Sequence, residues 1–319
     1  MSQHPINVVF ERAMDEQPEL TYLATTRVAG WERTYGADRS VCMPISENAM
    51  MGIGVGLAMT GRRTVVDLAR AAFLFTAMDP LVNQATKWRY LSDGQYSVPL
   101  LVLAITRCGE NSGSQHEHVP HSMLCQVPGL VVAVPSSVNS AAGLMATALN
   151  HPDPVVILET SRIFFPGWDT ATDIEPTFDP IPFGLAHRVR EGTDVTLVGI
   201  GNTVTDCLTA ADQLAQRGIS AQVVDLRTAA PLDRDGVALL ASTTRAAVLV
   251  DEAIGACSLM NDLGLHLLTS GAVEPVGLRV VASDPCPIPA SPTLQAVVLP
   301  SAADVAEAAA DALDGRPAR

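Results

Sequence analysis

M-P-I-S-E-N-A-M-M-G-I-G-V-G-L-A-M-T-G, from Met43 to Gly61, is the stretch around which the rest of the chain is organised. Pro44-Ile45-Ser46 is a helix-entry signal, with Ser46 placed to cap the free N–H groups of the first turn. One acid, Glu47, follows, and then a helix of almost entirely small and apolar residues. Gly52, Gly54 and Gly56 each cost about 0.5–1 kcal/mol relative to Ala inside a helix. Three such losses in five residues are tolerated where another backbone or a flat ligand must come very close. Taken alone, Glu47 needs only to complement the helix dipole.

The 319 residues are enough for two domains of ordinary size. Hydrophobic residues make up 48% and aromatics only 4%, so the core is built of Ala, Val and Leu, as in α/β folds with parallel strands. A net charge of −14 argues against nucleic acid and against anionic membrane surfaces as partners. No apolar run reaches about 18 uncharged residues and no signal peptide opens the chain, which predicts a soluble, cytoplasmic protein. The six cysteines are scattered with no C-x-x-C pair and are expected as reduced thiols.

A helix is expected at the N-terminus, then a strand around Leu20–Ala24 and a polar loop from Thr25 to Arg39. After the Glu47 helix, Arg63–Leu68 is a strand, followed by a helix carrying Phe73, Phe75, Met78, Leu81 and Val82 at roughly helical spacing. Val98–Thr106 is a continuous apolar strand of the doubly buried kind. The polar run R-C-G-E-N-S-G-S-Q-H-E-H-V-P-H comes at its C-terminal end, where ligands sit in open α/β sheets. Strands at Val131–Val134 and Pro154–Glu159 flank a helix at Val138–Leu149. This alternation makes residues 1–162 a doubly wound α/β domain. Residues 163–182 shift to Pro, Asp, Thr and Gly and form a linker. A second, smaller α/β domain then spans 183–319, ending in a helix at Ala302–Leu313.

The cluster His116-Glu117-His118-Val119-Pro120-His121 invites a metal reading, but Pro120 removes the i, i+4 helical geometry and no nearby Asp or Cys completes a ligand set. One catalytic His on a loop at a strand's end fits better. No G-x-G-x-x-G, no G-x-x-x-x-G-K-S and no G-D-G followed by Asn-Asn is present. A phosphorylated cofactor would therefore need another chain to hold its phosphates.

Several motifs stand in a recognisable order. Tyr35-Gly36-Ala37-Asp38-Arg39 leads to Pro44-Ile45-Ser46-Glu47, and N-Q-A-T-K-W-R-Y ends at Tyr90. Gln115-His116 follows, then V-P-G-L-V-V-A-V-P, D-P-V-V-I-L-E, V-D-L-R-T-A-A-P-L-D and V-D-E-A. With these, the chain resembles, from about Asn7 to its terminal helix, the beta subunit of the decarboxylating component of 2-oxoacid dehydrogenase complexes (pyruvate, branched-chain and acetoin types). The resemblance implies a transketolase-like pyrimidine-binding domain followed by a transketolase C-terminal-like domain. It also implies thiamine diphosphate with Mg²⁺, held at the interface with an alpha subunit in a heterotetramer of two alpha and two beta chains. Glu47 would hydrogen-bond N1′ of the aminopyrimidine, as a carboxyl group desolvated at a glycine-packed helix start. Phe73 would stack on the ring, with Ile45 and Gly52 beside it, and His116 would handle protons or position the acceptor. Backbone around Ala148, Leu149, His151 and Asp153 would hold a structural K⁺.

Departures from the family pattern gather around the substrate and acceptor channel. A-T-T-R-V-A-G stands for the usual G-E-D/E-V-G, Glu117-His118 for Ser-Gln, Asp67 for a Glu, and Gly255-Ala256-Cys257-Ser258 for G-x-G-A-E. The expected activity is decarboxylation of a 2-oxoacid with acyl transfer to a lipoyl acyltransferase component or another acceptor. The alternatives are a split transketolase-like carboligase or acyltransferase subunit, and a catalytically silent assembly subunit.

Overall fold

The computed structural model describes residues 5–106, 111–164 and 178–316. Most of the expected linker, and the start of the polar run after Thr106, lie outside the described residues. The chain divides into two compact units: residues up to Arg107 together with Met123–Phe183, and Gly184 onward together with the segment ending at Ser122.

In chain order the first unit contains α1 (Pro5–Glu16), β1 (Thr21–Ala24), α2 (Trp31–Tyr35), β2 (Ser40–Cys42), α3 (Glu47–Met59) and β3 (Thr64–Arg70). After β3 come a 3₁₀ segment (Ala71–Ala77), a π-helical segment (Asp79–Ala85), α4 (Trp88–Leu91) and β4 (Leu100–Thr106). The one-turn helix α5 (His121–Leu124), whose first two residues are counted with the second unit, carries the chain to β5 (Val131–Ala133), α6 (Val138–Ala148), β6 (Val155–Thr160) and α7 (Ser161–Phe164). Its strands run β5-β6-β4-β3-β1-β2 across the sheet, every pairing parallel. Strands β1, β4 and β6 are buried along their whole length, the pattern of a sheet covered on both faces. Phe10, Met14, Tyr22, Trp31, Leu144 and Met145 pack over one side of it.

Two expectations are corrected here. The segment after β3 is not one α-helix: it is a 3₁₀ turn followed by a π-helix with Pro80 in its first turn. The expected apolar stripe is accordingly split, with Leu81 fully buried and Phe75 38% exposed. The polar stretch from Thr25 is not all loop, because Trp31, buried in the core, nucleates α2.

The second unit contains β7 (His187–Arg190), β8 (Val195–Gly199), α8 (Thr203–Gln216), β9 (Ala221–Asp225), a short β10 (Thr228–Ala230) and α9 (Arg234–Ala241). These are followed by β11 (Ala246–Ile254), α10 (Leu259–Thr269), β12 (Leu278–Ser283), α11 (Pro292–Val298) and α12 (Ala302–Leu313). Its sheet runs β12-β11-β8-β9-β7. It is parallel except for the edge strand β7, which pairs antiparallel with β9. Leu197, Val223 and Val248 meet Leu214 and Val305 from α8 and α12 in its core. Among the described residues no helix is long and apolar enough to cross a membrane, and Cys42, Cys207, Cys257 and Cys286 are free thiols.

Candidate active site

Glu47 opens α3 five residues after β2 ends, so chain connectivity places it at the C-terminal edge of the parallel sheet, the ligand side of such folds. Ser46 is the N-cap, but its side chain makes no capping bond. Its backbone carbonyl accepts from Met50 N at 2.9 Å instead. Met50 and Met51 anchor the helix in the core at 0% exposure. The three glycines divide. A Cβ at Gly54 would stand 2.5 Å from Val66 Cγ2, so Gly54 is required by the helix's own sheet. Around Gly52 and Gly56 a Cβ would meet nothing within 4 Å. They lie on an exposed apolar face with Ile53 (45% exposed) and Met59 (37%), and Ile45 just ahead of the helix is 82% exposed.

The Glu47 side chain is half-buried. Thr76 Oγ1 lies 3.4 Å from Glu47 Oε2 and 2.8 Å from the carbonyl of Phe73. Asn48 Nδ2 donates to Thr76 O at 3.3 Å. The Asn48 bond fastens the segment of the half-buried Phe73 to the first turn of α3 beside Glu47, two residues beyond Ile45, whereas Gly52 lies on the exposed face of the helix. Glu47 itself is half-buried on the side of the helix that carries Met50, Met51 and Gly54, while Gly52 and Gly56 face the other way.

A buried titratable cluster joins Tyr22 of β1, Asp67 in the middle of β3 and Glu159 near the C-terminal end of β6. Tyr22 Oη donates to Asp67 Oδ2 at 2.7 Å, and Asp67 Oδ1 accepts from Ala69 N at 2.8 Å. Burial raises the Asp67 pKa against the lowering effect of both bonds. Burial first, and the charge of Asp67 second, push Glu159 up to about 8. The Tyr22 phenol is raised mainly by burial, then by Asp67. Sequence reasoning gave Glu159 and Tyr22 no titrating role. The available signal was an acid closing an apolar strand run, V-V-D and V-V-I-L-E.

His116 is half-buried on the loop 111–120 and belongs to the second unit, while Glu47 belongs to the first. Glu117 is 3% exposed, and its Oε1 accepts from Ser112 N at 2.9 Å and Ser112 Oγ at 2.8 Å. The glutamate thus closes its own loop, and no group of three or more metal-ligating side chains forms among the described residues. Of the cluster's histidines, His121 is the buried one, 2.9 Å from Asp251.

Ala148, Leu149, His151 and Asp153 form the turn after α6. Ala148 O accepts from His151 N at 3.1 Å, and His151 O accepts from Arg63 Nη1 at 2.9 Å. His151 Nδ1 lies 3.0 Å from Asp153 O, and the Asp153 carboxylate pairs with Arg89 at 2.5 Å. Each carbonyl keeps a second lone pair, but Arg63 already brings positive charge to one of them.

The transketolase pyrimidine-binding domain matches residues 8–164, and the transketolase C-terminal domain matches residues 184–305. The acetoin:2,6-dichlorophenolindophenol oxidoreductase subunit beta of Cupriavidus necator is 32% identical, covering 97% of this chain and 96% of that protein. The mitochondrial pyruvate dehydrogenase E1 component subunit beta of Pisum sativum is 34% identical, covering 86% of this chain and 77% of that protein. In fold, the chain superposes on a protein titled "split gene transketolase, inactive beta4 tetramer" with a TM-score of 0.81 at 22% identity, covering 98% of both. By its two domains and these end-to-end relatives, the chain belongs to the transketolase-like family of 2-oxoacid dehydrogenase E1 beta subunits.

Proposed function

We propose that this chain is the beta half of a two-chain thiamine diphosphate enzyme that decarboxylates a 2-oxoacid and passes the acyl group to a lipoyl acyltransferase component or another acceptor. The observation that supports this most is the Glu47 carboxylate. It stands half-buried at the first position of α3, against the segment that carries Phe73 and Thr76. Thiamine diphosphate, when bound, supplies the electron sink for the bond-breaking step. Glu47 would share a proton with N1′ of its aminopyrimidine, and a carboxylate whose hydrogen bonding is incomplete in the free chain suits that role. Phe73 would offer its face to the ring, while Ile45 and Gly52 would allow close approach. His116 would hold or move a proton during acyl transfer.

The phosphates and Mg²⁺ would be held mainly by an alpha subunit, since this chain's sequence carries no cradle for them. The exposed apolar strip of Ile45, Ile53 and Met59 is suited to a heterotetramer of two alpha and two beta chains. A K⁺ at the Ala148–Asp153 turn would only brace that turn. The domain division at 163–182 belongs to the same reading.

Reconstitution with the alpha chain, followed by assay of pyruvate and branched 2-oxoacids, tests the proposal. Decarboxylation that falls at least about 100-fold in Glu47→Gln is expected. Undiminished turnover in that variant would leave the silent-subunit reading standing instead.

A further inference from the structure

The second unit holds a buried histidine–aspartate hydrogen bond that the chemistry above does not use. His121 Nε2 lies 2.9 Å from Asp251 Oδ2, with the two side chains 1% and 0% exposed. Asp251 sits where β11 leaves its regular register with β12, and its other oxygen accepts from Ala253 N at 2.9 Å. The carboxylate is therefore held in direction by its own strand before it meets the histidine. His121 follows Pro120 directly and lies five residues beyond His116 on the same loop. Next to it, Ser122 Oγ accepts from Leu259 N at 3.0 Å, tying the same turn to the start of α10. The loop is also closed internally through Glu117 and Ser112 and through His116 N to Gly113 O at 2.9 Å. A buried charge is costly unless it is paired, so a histidine and an aspartate fully buried together constrain the backbone that carries them.

We propose that His121 and Asp251 are positioning residues: their buried contact latches the loop 111–122 to β11 of the same unit and so sets the placement of His116. This rests on the reading that His116 acts in the acyl-transfer half of the reaction. Burial opposes the charged imidazole. The charge of Asp251, its hydrogen bond and the charge of Glu252 outweigh that, and the His121 pKa stands raised. His121 Nδ1 has no partner among the described residues, which leaves Asp251 as the contact that orients the ring.

Amide hydrogen exchange on the assembled two-chain enzyme tests the latch. Asp251→Asn keeps the volume and removes the charge. It is expected to raise exchange at residues 111–124 about tenfold while β8 and β9 stay protected. In the same variant kcat is expected to fall about tenfold, with thiamine diphosphate affinity unchanged. Should that variant not assemble, His121→Asn, whose side chain no longer reaches Asp251, provides the same readout. Unchanged protection at 111–124, or a rise shared equally by β8 and β9, would overturn the proposal. Full turnover in His116→Ala would instead remove the catalytic reading of His116, while the exchange result still decides the latch.

Discussion

The hydroxyl of Thr76 stands between Glu47 and Phe73, 3.4 Å from the carboxylate of one and 2.8 Å from the carbonyl of the other. A hydroxyl has one proton to donate, and the shorter contact takes it. Thr76 therefore serves the backbone of the Phe73 segment and leaves the Glu47 carboxylate available to an outside donor. Thr76→Val removes the bond to Phe73 O at nearly constant volume. It should cost about 0.5–1.5 kcal/mol in denaturant unfolding and weaken cofactor binding a few-fold in the assembled enzyme. Unchanged binding would show that the Phe73 segment is held by other contacts.

The three glycines of α3 should separate cleanly under substitution. Gly54→Ala drives a methyl group against Val66, a stiff β-branched neighbour with 0% exposure, and should destabilise the chain by about 1–3 kcal/mol. Gly52→Ala and Gly56→Ala meet open space and should stabilise the isolated chain by about 0.5–1 kcal/mol through helix propensity. In both of these, association with the alpha chain should weaken. Thermal melts read the first effect and analytical ultracentrifugation of the mixed chains reads the second. Equal behaviour of all three variants would contradict the assignment of the outer glycines to a covered face.

Glu159 predicts a particular pH dependence. Its carboxyl is raised from 4.5 to about 8, so the folded chain keeps a proton that the unfolded chain has released between those values. Stability then falls as pH rises through that window, and Asp67, also raised, acts in the same sense. Glu159→Gln mimics the protonated group. Relative to the parent it should gain about 1–3 kcal/mol at pH 8 and little near pH 5. Parallel stability curves across this range would show that the carboxyl is ionised in the fold.

Much of this architecture is written locally in the sequence. Apolar runs such as Leu100–Thr106, Val155–Thr160 and Val195–Gly199 are buried along their full length, and that burial makes a strand visible without any periodicity. Edge strands lack the signal: β7, His187–Arg190, is mostly exposed, and β2 is three residues long. Glu47 stood out because it closes the Pro44–Glu47 motif, and Phe73, in the 3₁₀ segment after β3, only through the family resemblance. Ser46 looked like a side-chain cap and is not one. The His116–His121 cluster looked like one feature and proved to be three. Glu117 folds back on Ser112, His116 stays on the loop, and His121 turns to an aspartate 130 residues away. Pairings of that span follow from the packing of the second sheet and leave no mark on neighbouring residues.

Calorimetry of thiamine diphosphate with Mg²⁺, on this chain alone and then with its alpha partner, tests the central claim most directly. Tight binding in the mixture only, lost in Glu47→Gln, is the predicted result. Tight binding by this chain alone, or binding in the mixture that is indifferent to Glu47, would contradict a cofactor shared between two chains and read by this carboxylate.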